Sequence, residues 1–276
     1  MEITSLITDY WPLVLALLAG GIGMGLISGM LGIGGGGVLV PVLYEIFGAL
    51  GVDAEVRIHL SIGTALLVMV PTTIRSFYAH KTRGSVDIKI IRVMAVPVVT
   101  GVLIGILVAR YSNQIGLKLV WVVCATIMSA RLFLARDNWS LGKDVPMGAG
   151  LKIYGLFVGT ISTLMSIGGG VFISTMMTLY GRSMHQAVGT SSGFGPLIAI
   201  PGAIGFVWAG YGAPGLPPGS LGYVSLLGAA IVIPASVTAA PYGARMAHGI
   251  SKRKLELFFA TFLALIAVRF FLSLYL

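Results

Sequence analysis

Apolar stretches of about 20 residues recur along the whole chain, each long enough to cross roughly 30 Å of hydrocarbon as a helix. Backbone in lipid must satisfy its hydrogen bonds internally, so stretches of this kind fold as bundled helices. Charge points the same way: 10% of the 276 residues are charged, against about 25% in a soluble domain. The first stretch, Trp11 to Ile33, follows Glu2 and Asp9 with no Lys or Arg ahead of it. That is the wrong charge for a cleaved leader, and the stretch reads as a first membrane helix.

The chain also repeats itself. Gly25-Leu-Ile-Ser-Gly-Met-Leu-Gly-Ile-Gly-Gly-Gly lines up with Gly159-Thr-Ile-Ser-Thr-Leu-Met-Ser-Ile-Gly-Gly-Gly. In the same order, His59-Leu-Ser-Ile-Gly-Thr matches His185-Gln-Ala-Val-Gly-Thr, Pro71-Thr-Thr-Ile matches Pro201-Gly-Ala-Ile, and Arg131-Leu-Phe-Leu matches Arg269-Phe-Phe-Leu. Residues 1–135 are therefore expected to form a first membrane repeat, 136–150 a polar cytoplasmic linker and 151–276 a second repeat. Each repeat holds about five helical elements by the lengths of its apolar runs. They are expected near 11–33, 38–50, 59–78, 93–110 and 117–134, and near 151–167, 171–181, 187–209, 221–244 and 255–275. The second element of each half is short for a full crossing, so the pair around each glycine cluster is read as a hairpin.

Loop 79–92 carries Lys81, Arg83, Lys89 and Arg92, whereas its counterpart, Gly210 to Ser220, is uncharged. By the positive-inside rule these loops face opposite sides of the membrane. Threading the chain from outside puts Glu2, Asp9, Asp53 and Glu55 outside and most basic residues inside, with Arg57, Arg110 and Lys118 as exceptions. The expected fold is thus an all-α integral membrane protein of two inverted-topology repeats with glycine-broken hairpins. Both termini would lie outside the bacterial cytoplasmic membrane. The net charge of +9 lies in short loops between apolar runs, which fits membrane orientation better than a nucleic-acid partner. A lone cysteine, Cys124, excludes an intramolecular disulfide and a cysteine-cluster metal site. Neither a metal nor a cofactor is expected.

The two glycine clusters, Gly34, Gly35, Gly36 and Gly37 and then Gly168, Gly169 and Gly170, are the strongest candidate site. Residues 32–37 satisfy the spacing of a dinucleotide fingerprint, but that motif has meaning only between a strand and a helix of a soluble α/β unit. No Gly-Lys-Ser/Thr follows either cluster, so neither is a P-loop. Close helix packing would need one glycine every fourth residue. A consecutive run costs about 1 kcal/mol per glycine in a helix interior and is expected to break the helix. Broken backbone at membrane depth is tolerated where it lines a cavity, and a helix restarting there points free N–H groups at an anion.

Other polar groups join the candidate set. Arg75, in the run Ile62 to Tyr78, has either an oxyanion-binding or a snorkelling role. His59 and His185 open equivalent helices, as helix-end caps or proton carriers. Thr64, Thr190 and Ser191 follow within two turns, where hydroxyls donate to an anion or back to their own helix. Gly189-Thr-Ser-Ser-Gly193 also fits a hydrolase nucleophile turn, the basis of an alternative reading as an intramembrane serine protease. No catalytic residue is assigned otherwise, since the first half carries Ala65 where Ser191 stands.

Taken together, Gly34-Gly-Gly-Gly-Val-Leu-Val-Pro41, Ile62-Gly-Thr-Ala-Leu66, Arg83-Gly-Ser-Val-Asp87, Ser166-Ile-Gly-Gly-Gly170 and Val188-Gly-Thr-Ser-Ser192 resemble the TauE/SafE family of sulfite exporters, also called the toluene-sulfonate uptake permease family. The resemblance spans nearly the whole chain and departs at the Pro/Gly-rich loop Ala213 to Gly219. It implies a secondary carrier of small sulfur-containing anions such as sulfite or organosulfonates, where the residues themselves imply a small anion. A carboxylate carrier and an anion channel are the alternatives. Export could run on the membrane potential, whereas uptake would require a coupled proton or cation.

Overall fold

The computed structural model describes residues 2–31, 35–134, 141–246 and 252–274. It is a bundle of helices: α1 (Glu2–Leu31), α2 (Gly36–Ala49), α3 (Ala54–Lys81), α4 (Ile88–Tyr111), α5 (Gln114–Leu134), α6 (Ala149–Met165), α7 (Gly170–Leu179), α8 (Met184–Ser192), α9 (Phe194–Ala209), α10 (Leu226–Met246) and α11 (Lys252–Leu272). Among the described residues six spans are long and apolar enough to cross a membrane, the α8–α9 run Met184–Ala209 counting as one of them. The helix-rich integral membrane fold read from the apolar runs is the fold observed.

Local chemistry sets the helix ends. Asp53 accepts from the Glu55 N–H (3.0 Å) to start α3, and Asp87 accepts from those of Lys89 (3.0 Å) and Ile90 (3.3 Å) to start α4. That cap is why α4 begins at Ile88 rather than near 93. The expected third element of the second half, 187–209, is interrupted at Gly193, because Pro196 has no N–H to offer the carbonyl of Ser192. The expected element 221–244 begins later, at Leu226. Residues before it form a two-stranded antiparallel hairpin, β1 (Ser220–Leu221) and β2 (Val224–Ser225). Gly222 at φ 54° makes its turn, a conformation only glycine adopts freely.

Helix pairing is dominated by contacts between the two halves. α1 lies on α10 and α6 on α4; α5 lies on α11 and α3 on α9; α4 also meets α9, and α10 meets α3. Exchanging α1 with α6, α4 with α10, α5 with α11 and α3 with α8–α9 returns this set of pairs. Glycines permit the closest crossings. A Cβ on Gly25 would run into the carbonyl oxygen of Ser236, and one on Gly159 into that of Val98. Bulky apolar side chains such as Val96, Ile127, Ile153 and Ile204 remain exposed on the outer surface of the bundle, as lipid-facing positions are.

Charge separates the two ends. The charged loop follows α3 at Lys81, whereas the uncharged segment carrying Tyr223 packs onto the opposite end of α3 at Gly63. At the charged end Arg182 bridges Asp144 (2.7 Å) and Asp87 (3.9 Å). At the other end the Arg110 guanidinium stacks 4.0 Å from the Trp208 ring centroid.

Candidate functional site

The glycine clusters break the helices as their composition requires. α2 restarts at Gly36 and α7 at Gly170, each one or two residues earlier than expected. Their N-caps, Gly35 (φ 68°) and Gly169 (φ 71°), share the left-handed conformation, and neither helix has a side-chain cap. The first amides of each helix therefore have no acceptor within it, and the residues that present them, Gly36, Gly37, Gly170 and Val171, are all buried. Gly168, also buried, lies in the short link between α6 and α7, where the Gly169 N–H donates to the Ile167 carbonyl (2.8 Å). Gly34 falls outside the described residues.

The two breaks touch. A Cβ on Gly36 would collide with the carbonyl oxygen of Ser166 and come within 2.8 Å of its Oγ and 2.9 Å of Met69 Sδ. Ser166 closes α6 with φ 52°, the non-glycine residue with positive φ among those described. An unforced serine does not adopt that conformation, and such outliers mark positions fixed by their surroundings. Every side chain that a Cβ on Gly35, Gly36, Gly37 or Gly169 would meet is uncharged, including Met24, Ile167, Ile198 and Phe259. The polar groups nearest these glycines are thus neutral donors and helix ends.

Two hydroxyls stand out beside the breaks. Ser28, in the last turn of α1, and Ser162, in the last turn of α6, are 1% and 0% exposed, and neither Oγ has a hydrogen-bond partner. An orphaned buried polar group costs about 1–3 kcal/mol. A Cβ on Gly169 would lie 3.7 Å from Ser162 Oγ, so this hydroxyl adjoins the start of α7. Sequence reasoning passed over both serines, although they occupy matching positions in the repeated motif.

The remaining predicted residues are placed as follows. Thr64 Oγ1 accepts from the Ser225 N–H (2.9 Å), and Thr190 Oγ1 accepts from the Asp87 N–H (2.8 Å). Beside them, a Cβ on Gly63 would strike the Tyr223 carbonyl, and one on Gly189 would meet Ser85. Each Gly-Thr pair thus admits a loop and then fastens it where α10 or α4 begins. Thr64→Val and Thr190→Val leave an N–H unsatisfied, a loss of about 1–3 kcal/mol. Thermal denaturation in detergent is expected to show the larger fall for Thr64→Val, whose bond is fully buried while that of Thr190 is partly buried.

His59 is 3% exposed, places Nε2 3.1 Å from the carbonyls of both Ala109 and Ser112, and stacks on Tyr223 at 4.7 Å. It caps the C-terminus of α4. His185 is exposed at the start of α8, whereas Ser191 is buried and donates to the Val188 carbonyl (3.0 Å). Arg75 is exposed near the charged end of α3. Among the described residues no cluster of His, Cys, Asp and Glu is suited to a metal ion.

A cavity of about 500 Å³ opens at the charged end between α5, α6 and α7, lined by Arg131, Tyr154, Thr175 and Met176 among others. Arg131 donates to Thr175 Oγ1, on α7, and the Tyr154 hydroxyl to the Phe172 carbonyl (2.8 Å). Its repeat partner Arg269 instead meets Glu45 of α2 through two contacts of 3.2 Å.

Membrane-length helices around buried, broken segments belong to a multi-pass membrane transporter. The family model of the sulfite exporter TauE/SafE matches residues 17–270, and the chain belongs to that family. It is 30% identical over 265 residues to a "Probable membrane transporter protein" of Haemophilus influenzae, covering 95% of this chain and 98% of the relative. A protein of the same description from Methanocaldococcus jannaschii is 24% identical over 267 residues, covering 94% and 96%. A third, from Bacillus subtilis, is 24% identical over 197 residues, covering 68% and 76%. No solved structure gives a significant match.

Proposed function

We propose that the chain is a secondary carrier for small sulfur-containing anions, such as sulfite or organosulfonates, which bind at the two glycine breaks. The observation carrying this reading is the pair of uncapped, buried helix N-termini behind Gly35 and Gly169, joined where Gly36 meets Ser166. Helix N-termini favour anions by their dipole and free N–H groups. The family description, sulfite exporter, supplies the sulfur.

In this reading the halves are inverted repeats in a bacterial cytoplasmic membrane, with both termini outside. The self-consistent exchange of helix pairs supports the repeat, and the charge difference between the two ends of α3 supports the orientation. The cavity at Arg131 is then the cytoplasmic mouth leading to α7. Alternating access moves the two hairpins against the surrounding helices. An inside-negative potential of roughly 100 mV favours exit of one negative charge by about 2.3 kcal/mol, so export needs no coupling ion.

Thermal stability of the purified protein tests the substrate class, because a ligand of the folded state raises the melting point with concentration. Sulfite, sulfoacetate, taurine, sulfate, acetate and chloride form the panel. A selective rise with a sulfur oxyanion is expected. A rise with acetate alone would replace the substrate by a carboxylate and leave the architecture standing.

A further inference from the structure

Buried hydroxyls in these helices ordinarily satisfy themselves. Ser61, Thr72, Thr73, Thr163, Ser191 and Ser192 each donate to a carbonyl three or four residues back. This back-bonding is the default for serine and threonine in a membrane helix. Among the described residues, the buried serines whose hydroxyls lack any partner are Ser28, Ser76 and Ser162, and the hydroxyl of half-buried Ser220 in β1 lacks one too. Ser76 is not repeated: the match of Pro71 with Pro201 places Phe206 opposite it. Ser28 and Ser162 do repeat, each in the last turn before a glycine break.

We propose that the Ser162 hydroxyl and the first amides of α7 form a charge-neutral subsite for a singly charged sulfur oxyanion, with Ser28 holding the equivalent position before α2. The proposal rests on the anion-carrier reading above and names the side-chain donors of that site. Three observations carry it. Ser162 Oγ is fully buried and unpartnered beside Gly169. α7 starts there without a side-chain cap. The other side chains nearest to Gly169, Ile198 and Val158, are apolar. The hydroxyl adjoins the residue that opens α7, and an oxygen-bearing anion has separate oxygens to accept from the hydroxyl and from the first amides of the helix.

Neutrality sets the charge of the ligand. The cost of moving an ion into a low-dielectric interior rises with the square of its charge, and among the described residues the side chains nearest Gly35, Gly36, Gly37 and Gly169 include no cation to set against it. Methanesulfonate and sulfate have the same tetrahedral shape at sulfur but carry one and two charges. The subsite therefore takes methanesulfonate and rejects sulfate.

Labelled-sulfite flux into proteoliposomes in mildly acidic buffer, where sulfite is mainly the singly charged hydrogensulfite, tests this when read beside the melting point of the protein without ligand. Ser162→Ala is expected to raise the half-saturating sulfite concentration about tenfold or more, the factor that one hydrogen bond to a charged group carries. Its ligand-free melting point should hold or rise, since no protein hydrogen bond is lost. A merely structural serine would give the opposite pair of results. Thr163→Val, which removes a neighbouring hydroxyl satisfied within its own helix, should leave half-saturation unchanged. Methanesulfonate should compete with sulfite in the wild type and sulfate should not. Wild-type half-saturation in both Ser162→Ala and the Ser28→Ala/Ser162→Ala double variant would overturn the inference alone, and equal competition by sulfate would overturn its charge rule. Wild-type vesicles that carry no sulfite would overturn the substrate reading and this inference together.

Discussion

Gly36→Ala is expected to abolish anion flux and to lower the melting temperature of the purified protein by several degrees. The added methyl has no room, because its place is taken by the carbonyl oxygen of Ser166, with Met69 Sδ 2.9 Å away. A flexible side chain could turn aside, but a backbone carbonyl held by a residue already at φ 52° cannot. Overpacking of this kind costs about 1–3 kcal/mol, and the larger effect is functional. The contact is where the two halves' breaks meet, so forcing it open displaces α2 from the end of α6. Gly23→Ala provides the comparison: nothing lies within 4 Å of its Cβ position, and alanine in a helix interior is better than glycine by about 1 kcal/mol. Flux assays and thermal denaturation on both variants check the contrast. Undiminished flux in Gly36→Ala would mean that the junction of the breaks has no part in transport.

The second large effect is expected at the caps. Gly35→Val and Gly169→Val abolish flux while the protein still inserts in the membrane, seen as retained membrane fraction and a single gel-filtration peak. A β-branched residue at φ 68° or 71° is a backbone outlier, and forcing it costs about 1–3 kcal/mol. The free amides then no longer hold their direction. Asparagine, which tolerates the left-handed conformation, separates conformation from bulk. At Gly169 the nearest neighbour of an added Cβ is a flexible methyl, Ile198 Cδ1 at 3.0 Å, whereas at Gly35 it is the carbonyl of Met24. Gly169→Asn should therefore keep part of the flux and Gly35→Asn should keep none. Wild-type flux in both valine variants would contradict a site made by these breaks.

Much of this architecture is legible in the chain because lipid imposes one rule on every segment. Apolar length marks the helices, and a run of glycines marks where a helix must stop, which located α2 and α7 to within two residues. The repeated motifs also pointed to the positions where the halves meet. What stayed hidden depends on partners distant in sequence. Thr64 and Thr190 read as donors to an anion or back to their own helix, and each also accepts from a backbone N–H more than 100 positions away. His59 reads as a helix-end group, and the carbonyls it caps belong to α4 rather than to its own helix. Ser28 and Ser162 are ordinary serines in sequence. Their lack of a partner becomes visible only when every neighbouring carbonyl has been placed. The break at Gly193 was missed because the run around it stays apolar, and a proline three residues on decides the matter.

Counterflow in proteoliposomes tests the central claim most directly. Vesicles holding the wild-type protein are preloaded with unlabelled sulfite and diluted into a trace of labelled sulfite. The account predicts transient accumulation of label above its equilibrium level, saturable with sulfite and absent from the Gly36→Ala protein. Accumulation driven by acetate preload but not by sulfite, or equal sulfite exchange through wild type and Gly36→Ala, would contradict it.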